Sequence, residues 1–313
     1  MAASEAPPAV PVARPGRRSR SRLARLTTAD RITIFVMAAV PTLLVLWLVW
    51  IPGIASVVLS FFRWDGVGGF NTASWIGLSN YHNVFTNYPP FHPAIQHNLI
   101  WLLVLFVIPT PFGIFLAVLL DKEIKGGRFY QTALFLPVVL SLALVGFMWQ
   151  LIYSPDQGLI NQITGGHTDW YGDPNINLWA VLVAVCWKQT GYVMLLYLAG
   201  LKAVDPTLRE AATVDGATET QTFFRVVFPV MRPINIVVLV ITFIEALRAF
   251  DIVWIVNNGR NGLELISTLV TQNIVGEASR IGFGSALATI MLAISSVFVA
   301  LYLRVALREE DQS

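Results

Sequence analysis

The sequence predicts an all-α integral membrane protein with six transmembrane helices, cytoplasmic N- and C-termini, and a short cytoplasmic helix pair between helices four and five. Composition is the first observation: 55% of the 313 residues are hydrophobic and 13% are charged, whereas soluble domains carry about 25% charged residues. The second is a set of six apolar stretches near the ~20 residues that a membrane-spanning helix requires. The third is an uneven distribution of lysine and arginine between the connecting segments.

The N-terminal 30 residues are rich in proline, alanine and arginine. This composition cannot bury an apolar core, so we predict a disordered basic cytoplasmic tail over residues 1–30. Arg17 and Arg18 are typical of a twin-arginine export signal, but the apolar run over residues 32–62 is longer than the ~7–15 residues of a signal-peptide core. Residues 31–62 are therefore predicted to form a retained first transmembrane helix.

The rest of the chain divides into an external loop over residues 63–98, a membrane core over residues 99–303 and a cytoplasmic tail over residues 304–313. The core holds the other five predicted spans. Prolines lie in or near several spans, where they are tolerated and usually mark kinks. The six predicted spans are residues 32–59, 99–120, 130–152, 178–201, 234–256 and 285–303.

Lysine and arginine predict the orientation, because cytoplasmic loops carry an excess of both. With the N-terminal tail inside, 16 of the 21 basic residues lie in cytoplasmic segments, and only Arg63, Arg260 and Arg280 lie in external loops. This asymmetry places both termini in the cytoplasm, together with residues 205–233, which connect spans four and five. The net charge of +2 is too small to indicate a nucleic-acid partner.

The connection between spans four and five is polar and carries its own helix signals. Asp205 followed by Pro206 is typical of a helix start, with a side-chain acceptor at the N-cap and proline at the first helical position. Gly216 is placed where a left-handed residue would end that helix. Thr218 and Gln221 form a capping box that predicts a second helix, and prolines are predicted to end it.

No motif indicates catalysis or ATP binding by this chain. The phosphate-binding pattern G-x4-G-K-[ST] is absent, and no nucleophile–base pair or metal motif falls at membrane depth, as an intramembrane enzyme would require. The four histidines lie in predicted external loops with too few ligands for a metal, so we interpret them as solvated surface residues. The single cysteine, Cys186, lies in an apolar run and is interpreted as structural.

The cytoplasmic connection contains a spaced motif. Its text resembles the EAA loop of ABC-importer permeases, whose pattern is EAA-x2-DGA-x5-F-x2-I-x-L-P-x3-P. Val226 replaces the isoleucine and Phe228 the leucine of that pattern. The matching residues are Glu210, Ala211, Ala212, Asp215, Gly216, Ala217, Phe223, Pro229 and Pro233.

The flanking text extends the resemblance over about residues 35–303. WIGLSNY, LFLPVVLS, LAGLKAVDP, FDIVWIVNNG and GFGSALA are similar to the carbohydrate-uptake branch, which includes maltose and glycerol-phosphate permeases. One departure is NNGRNGLE, where that branch often has a GGP turn after span five.

The resemblance implies a permease subunit of an importer for a sugar or sugar-like solute. The implied partners are a second homologous permease, a cytoplasmic ATP-binding subunit dimer, an external solute-binding protein and membrane lipid. No cofactor would be bound by this chain, since ATP and Mg²⁺ would lie on the ATPase. The implied location is a bacterial or archaeal cytoplasmic membrane. Two alternatives stay open: a non-sugar solute such as glycerol phosphate, and a scaffold or signalling subunit that binds an ATPase without transporting.

In this family the EAA loop docks in a groove of the ATPase, and the residue types here suit that role. Small alanines allow close approach of the helix backbone, and Gly216 sets the angle between the two helices. Glu210 offers a charge for a charge-assisted contact. Asp215 either caps the turn or accepts a bond from the partner, while Phe223 and Phe228 are expected to anchor the loop internally.

Polar residues within predicted spans indicate a solute pathway, because such groups are costly in a membrane. On span five, three charged residues recur at i, i+3 steps of one helical face. They either line a cavity or form a charge-balanced lock between helices. On span four, an amide and an aromatic ring suit carbohydrate hydroxyls and ring faces, although such residues also pack ordinary membrane helices. The candidates are Lys188, Gln189 and Tyr192 on span four, and Glu245, Arg248 and Asp251 on span five.

Overall fold

The computed structural model describes residues 27–122, 124–276 and 279–310. Most of the predicted N-terminal tail, up to residue 26, and the last three residues of the C-terminal tail lie outside this description. The first helix begins at Thr28, inside the range predicted for the tail. Its start is a capping box, in which Thr27 Oγ1 accepts from Asp30 N and Asp30 Oδ2 accepts from Thr27 N.

The chain divides into two compact units, residues 1–53 and 54–313. In the first unit, α1 (Thr28–Val45) runs into a π-helical turn (Leu46–Trp50) and the start of α2 (Ile51–Leu59). The whole stretch Thr28–Leu59 is long and apolar enough to cross a membrane.

The described part of the second unit is mostly helical. After α2 come β1 (Phe62–Arg63), a 3-10 turn (Phe70–Thr72), β2 (Ser74–Trp75), α3 (Ser79–Thr86), α4 (Phe91–Val107), α5 (Pro109–Asp121), α6 (Gly127–Val139), α7 (Leu142–Ile152) and α8 (Leu159–Thr164). These are followed by α9 (Asn177–Ala203), α10 (Pro206–Val214), α11 (Glu219–Thr222), a π-helical turn (Phe223–Val227), α12 (Phe228–Val230), α13 (Arg232–Leu247), α14 (Asp251–Asn257), α15 (Ile266–Ile274) and α16 (Ile281–Glu310).

A two-stranded hairpin departs from the predicted all-α architecture. Strands β1 and β2 are antiparallel, with Phe62 opposite Trp75 and Arg63 opposite Ser74. Aromatic packing holds the hairpin, because the Trp75 ring stacks on Phe61 and meets Phe62 edge-on. The sequence analysis predicted only an external loop in this region and did not predict the strand pairing.

Two of the predicted spans are broken. Span three divides into α6 and α7, which are bent by 101°. Leu140 is extended at the bend, and Ser141 Oγ caps α7 by accepting from Leu144 N at 3.2 Å. Span five divides into α13 and α14, so the prediction of one continuous helix over residues 234–256 is wrong.

By length and composition, four helical stretches in the described part of the chain can cross a membrane. They are Thr28–Leu59, Phe91–Asp121, Asn177–Ala203 and Ile281–Tyr302, and the bent pair of α6 and α7 supplies a fifth if it is one span. A sixth would need α13 and α14 together.

Helix α9 is the centre of the membrane core. It packs against α4, α5, α6 and α13, and glycines permit two of these approaches. A Cβ at Gly113 of α5 would meet Val193 Cγ1 at 2.7 Å, and one at Gly191 would collide with the carbonyl of Leu134 on α6. Small residues at such crossings let membrane helices pack closely.

Candidate functional site

The connection between α9 and α13 folds as the sequence predicts at its first helix. Asp205 Oδ1 accepts from Thr207 N at 2.9 Å, and Pro206 is the first residue of α10. Gly216 has a φ of +79°, a left-handed conformation that favours glycine. We call residues 205–233, the loop predicted to couple to an ATPase, the coupling segment.

The second helix of the coupling segment begins and ends as predicted. Thr218 and Gln221 form the capping box at the start of α11. The chain then continues through the π-helical turn into α12, which ends at Val230, between the two prolines predicted to close the helix, Pro229 and Pro233. Pro229 has no backbone N–H to donate to the helix. The π-helical turn, in which the hydrogen bonds run from i to i+5, lies just before it in the chain.

The EAA residues differ in accessibility. Glu210, Ala211, Asp215, Gly216 and Pro229 are exposed, Ala217 and Phe223 are half-buried, and Ala212 is buried. The Ala212 side chain faces its own protein, and the expectation that the small alanines let the helix backbone approach a partner stays a prediction. Two exposed apolar side chains that the sequence reasoning missed lie in the same segment: Val214 is 87% exposed and Phe224 is 62% exposed.

Asp215 lies at the end of α10, next to the left-handed Gly216. Among the described residues its carboxylate has no hydrogen bond or ion pair, so the local capping role receives no geometric support. The carboxylates of Glu210 and Asp215 are thus both available for a partner. Both belong to the exposed surface of the coupling segment.

Asp121 fastens the coupling segment to the membrane helices. This residue ends α5, and its side chain is only 10% exposed. Asp121 Oδ2 accepts from Arg209 Nη1 at 2.7 Å, and Lys202 Nζ lies 3.2 Å from Asp121 Oδ1. Arg209 Nη2 also donates to Leu201 O at 3.2 Å. One carboxylate therefore joins the end of α5, the end of α9 and the first turns of α10.

Two further contacts fix the segment. Lys122 and Glu219 form an ion pair at 2.5 Å, which lowers the pKa of the Glu219 carboxyl mainly through the hydrogen bond from the lysine. Both side chains are largely exposed, and such pairs contribute little stability. Phe223 and Phe228 pack, as expected, against a buried cluster that includes Met231 at the start of α13.

A cavity of about 200 Å³ lies among α4, α7, α9 and the break between α13 and α14. It brings together five of the six predicted pathway residues; Tyr192 is the one that does not line it. Apolar walls come from Trp101, Leu105 and Leu142. The polar residues at the cavity are Lys188, Gln189, Glu245, Arg248 and Asp251.

The three charges from span five are not on one continuous helical face. Glu245 belongs to α13, Arg248 lies at its C-cap, and Asp251 begins α14, where a carboxylate is favourable at the helix N-terminus. All three side chains are exposed, and no ion pair joins any of them within the described residues. The alternative of a buried charge-balanced lock is therefore not what the structure forms.

Lys188 has a structural task at the bend between α6 and α7. Its Nζ donates to Val138 O at 3.0 Å, to Pro137 O at 3.5 Å and also to Leu140 O. These carbonyls have lost helical partners because the helix stops here. The lysine thus satisfies the end of α6 from the side of α9.

Gln189 is the group at the cavity whose hydrogen bonding is incomplete. Its side chain is buried, and Nε2 has no acceptor among the described residues. A buried donor without a partner costs about 1–3 kcal/mol. An oxygen atom within the cavity would satisfy it. No group of three metal-binding side chains occurs in the part of the chain that is described.

Comparisons with known proteins agree with this architecture. The family described as "Binding-protein-dependent transport system inner membrane component" matches residues 109–309, more than half of the chain. The chain is 31% identical to the probable ABC transporter permease protein YurN of Bacillus subtilis, over 82% of this chain and 90% of that protein. It is 31% identical to the alpha-glucoside transport system permease protein AglF of Rhizobium meliloti, over 92% and 86%.

A third relative is the xylose/arabinose import permease protein XacH of Haloferax volcanii, 30% identical over 78% of each chain. Among solved structures, a bacterial ABC transporter that imports the acidic polysaccharide alginate matches with a TM-score of 0.76 and 22% identity, over 89% of this chain and 96% of that one. A second alginate transporter structure, in complex with a pentasaccharide-bound periplasmic protein, matches with a TM-score of 0.74 and 21% identity, over 87% and 93%. Both structural matches show that the fold is shared.

Proposed function

This chain belongs to the family of binding-protein-dependent transport system inner membrane components, and from that premise we propose that it forms half of the membrane pathway of an ATP-driven sugar importer. A second, different permease supplies the other half, and a separate cytoplasmic ATPase dimer binds ATP and Mg²⁺. An external solute-binding protein delivers the sugar or sugar-like solute. The importer lies in the cytoplasmic membrane of a bacterium or archaeon, with six spans and both termini inside.

Several observations support this proposal. Two relatives carry names that refer to xylose/arabinose and to alpha-glucoside, and one structural neighbour was solved with a periplasmic protein. The excess of lysine and arginine in the segments assigned to the cytoplasm supports the orientation. The lack of the pattern G-x4-G-K-[ST] in the sequence supports the proposal that a partner binds ATP.

The observation that carries the proposal is the fastening of an exposed helix pair to the membrane core. The coupling segment presents Glu210 and Asp215 outward, while Asp121 ties its base to α5 and α9. On its other side the segment runs through the Phe223 cluster into α13. A segment held in this way moves with the membrane helices rather than independently of them.

The mechanism follows from these attachments. When the ATPase dimer closes on ATP, its groove displaces the coupling segment. The displacement passes through Asp121 to α5 and α9, and through the apolar cluster to α13. Since α9 and the break after α13 both border the 200 Å³ cavity, the same movement reshapes the cavity and changes the side to which it opens.

Gln189 is the residue of this cavity best suited to a sugar. Its unpartnered Nε2 donor would bind a hydroxyl oxygen, and the exposed charges of Glu245, Arg248 and Asp251 would bind further hydroxyls. Lys188 is placed among the cavity residues but is occupied by backbone carbonyls. We therefore assign Lys188 to the structure of the bend rather than to solute binding.

Reconstitution tests the proposal. The chain, its second permease, the ATPase and the solute-binding protein are placed in proteoliposomes, and uptake of labelled sugars is measured with and without internal ATP. ATP-dependent uptake of a sugar is expected. If the complex hydrolyses ATP and imports glycerol phosphate but none of the sugars offered, the transported solute is glycerol phosphate and the proposal of a sugar is wrong. A complex that binds the ATPase and imports nothing would identify a scaffold.

A further inference from the structure

A second and larger cavity, of about 630 Å³, lies outside the membrane core. It is bordered by the β1–β2 hairpin, by α3 and by the residues that lead into α16. All of these belong to segments that the charge distribution places outside. Its volume falls in the range of about 300–1,000 Å³ typical of small-molecule sites.

The walls of this outer cavity are held in place. Asn80 Nδ2 donates to Ser60 O at 2.8 Å and to Phe62 O at 2.9 Å, which attaches α3 to the hairpin. Gly282 N donates to Trp64 O at 3.1 Å and attaches the start of α16. A site fixed before its ligand arrives loses less conformational entropy on binding.

Positive charge dominates the mouth of the outer cavity. Arg63 and Arg280 both line it, and neither forms an ion pair within the described residues. The guanidinium of Arg280 lies 5.4 Å from the ring centroid of Phe283, which orients it. Among the described residues that line the cavity, the one carboxylate is that of Asp65, and its Oδ1 accepts from Val67 N at 2.9 Å. The N-terminus of α16 adds a partial positive charge at the same place.

The remaining lining groups suit a hydroxyl-rich ligand. Asn87 Nδ2 donates to Asn83 Oδ1. This leaves Asn87 Oδ1 as an acceptor and Asn83 Nδ2 as a donor for other partners. Tyr88 accepts from Asn273 Nδ2 at 2.9 Å, so its own hydroxyl proton is free to be donated. Trp64 adds an indole, and its buried Nε1 has no acceptor within the described residues.

We propose that this outer cavity binds a saccharide that carries an acidic group, with Arg63 and Arg280 at the carboxylate and the asparagine amides and Tyr88 at the hydroxyls. An arginine guanidinium matches a carboxylate by charge and by hydrogen-bond geometry. The site lies on the external side and is distinct from the membrane cavity. This inference rests on the proposed role in sugar import, and it narrows the class of solute.

The test is calorimetric titration of the complete transporter in nanodiscs, without its solute-binding protein, with digalacturonate as the probe. Digalacturonate is expected to bind, more weakly as salt rises, and the Arg63→Gln/Arg280→Gln double variant is expected to raise its Kd about tenfold. Arg260→Gln, an external arginine that does not line the cavity, is the matched control and should leave Kd unchanged. Maltose is the neutral comparison and should bind at least about tenfold more weakly.

The proposal is overturned if digalacturonate does not bind the wild type, if maltose binds equally well, or if the double variant binds as tightly as the wild type. Should the double variant fail to assemble, Arg63→Gln alone and the salt dependence of the wild type decide the question. The titration is repeated in nanodiscs that contain the anionic lipid phosphatidylglycerol. Loss of the digalacturonate binding signal in these nanodiscs would show that the cavity binds the lipid instead, and would also count against a saccharide site. Uptake assays remain a separate measurement, so failure of sugar import would not be confused with failure of this site.

Discussion

Arg209 Nη1 donates to Asp121 Oδ2 at 2.7 Å across 88 residues of sequence. This contact joins the first helix of the coupling segment to the end of α5, which the EAA pattern does not include. Because the Asp121 side chain is nearly buried and also pairs with Lys202, it holds two cations at once. Much of the connection between the coupling segment and the membrane helices therefore depends on one carboxylate.

Replacing Asp121 with asparagine should weaken this connection. We expect a loss of about 1–2 kcal/mol of stability, since charged hydrogen bonds are exchanged for a neutral one. Sugar uptake should fall more than ATP hydrolysis, because the ATPase remains bound while its movement is poorly transmitted. Thermal unfolding in detergent and uptake per ATP hydrolysed measure the two effects.

Lys122→Gln is the matched control for Asp121→Asn. It breaks the exposed pair with Glu219, which should leave both the unfolding temperature and uptake near their wild-type values, because exposed ion pairs contribute little stability. Equal losses in the two variants would show that Asp121 has no special place in coupling.

Replacing Gly216 with alanine should impair coupling through backbone conformation. A φ of +79° costs an alanine about 1–2 kcal/mol, so the turn between α10 and α11 will relax and misplace Glu210. We expect uptake and stimulated ATP hydrolysis to fall together. Gly165→Ala is the control, since Gly165 has a φ of +69° and open space around it in a predicted external loop. If Gly165→Ala reduces uptake equally, backbone strain in general and not the coupling segment explains the result.

Lys188→Met should destabilise the protein rather than change solute affinity. It leaves the carbonyls of Val138 and Leu140 without their donor, at a cost of about 1–3 kcal/mol. Lys188→Arg should restore part of the stability because it keeps donors at this position. A large rise in KM for the transported sugar with an unchanged unfolding temperature would instead make Lys188 a solute ligand.

Gln189→Leu and Gln150→Leu form an informative pair. Gln189 Nε2 has no partner among the described residues, so its removal should leave stability unchanged or slightly higher and weaken solute binding about fivefold to tenfold. Gln150 Nε2 donates to Ile255 O at 2.9 Å and joins α7 to α14, so its removal should lower the unfolding temperature. The prediction for Gln189 fails if KM for the sugar does not change.

Features encoded within a few residues could be read from the sequence. The caps at Asp205 and Thr218 and the left-handed Gly216 all depend on local hydrogen bonds and backbone preference. The grouping of Lys188, Gln189 and the charges near Arg248 was also anticipated, because polar groups are rare in apolar spans.

Features that depend on distant partners were not anticipated. Averaged hydropathy does not register the bend at Ser141, since the residues around it stay apolar. The charges near Arg248 were interpreted as one helical face rather than as a break in the helix. The bend is supported by Lys188, which lies 48 residues or more along the chain. In the sequence, Asp121 is only a polar residue at the end of an apolar stretch, and nothing near it indicates the ion pair with Arg209. The buried position of Ala212 likewise depends on packing that no motif describes.

Helix α9 contains both Lys188, at the bend of α6 and α7, and Lys202, at Asp121. The two lysines are separated by 14 residues of uninterrupted α-helix, or about 21 Å at 1.5 Å per residue. No proline or loop lies between them, so we expect a displacement of the Lys202 end of the helix to be transmitted to the bend. Gly191 and Gly200 already lie between the two lysines, so a proline placed there, which removes a helical hydrogen bond and kinks the helix, would be needed to disconnect the two ends.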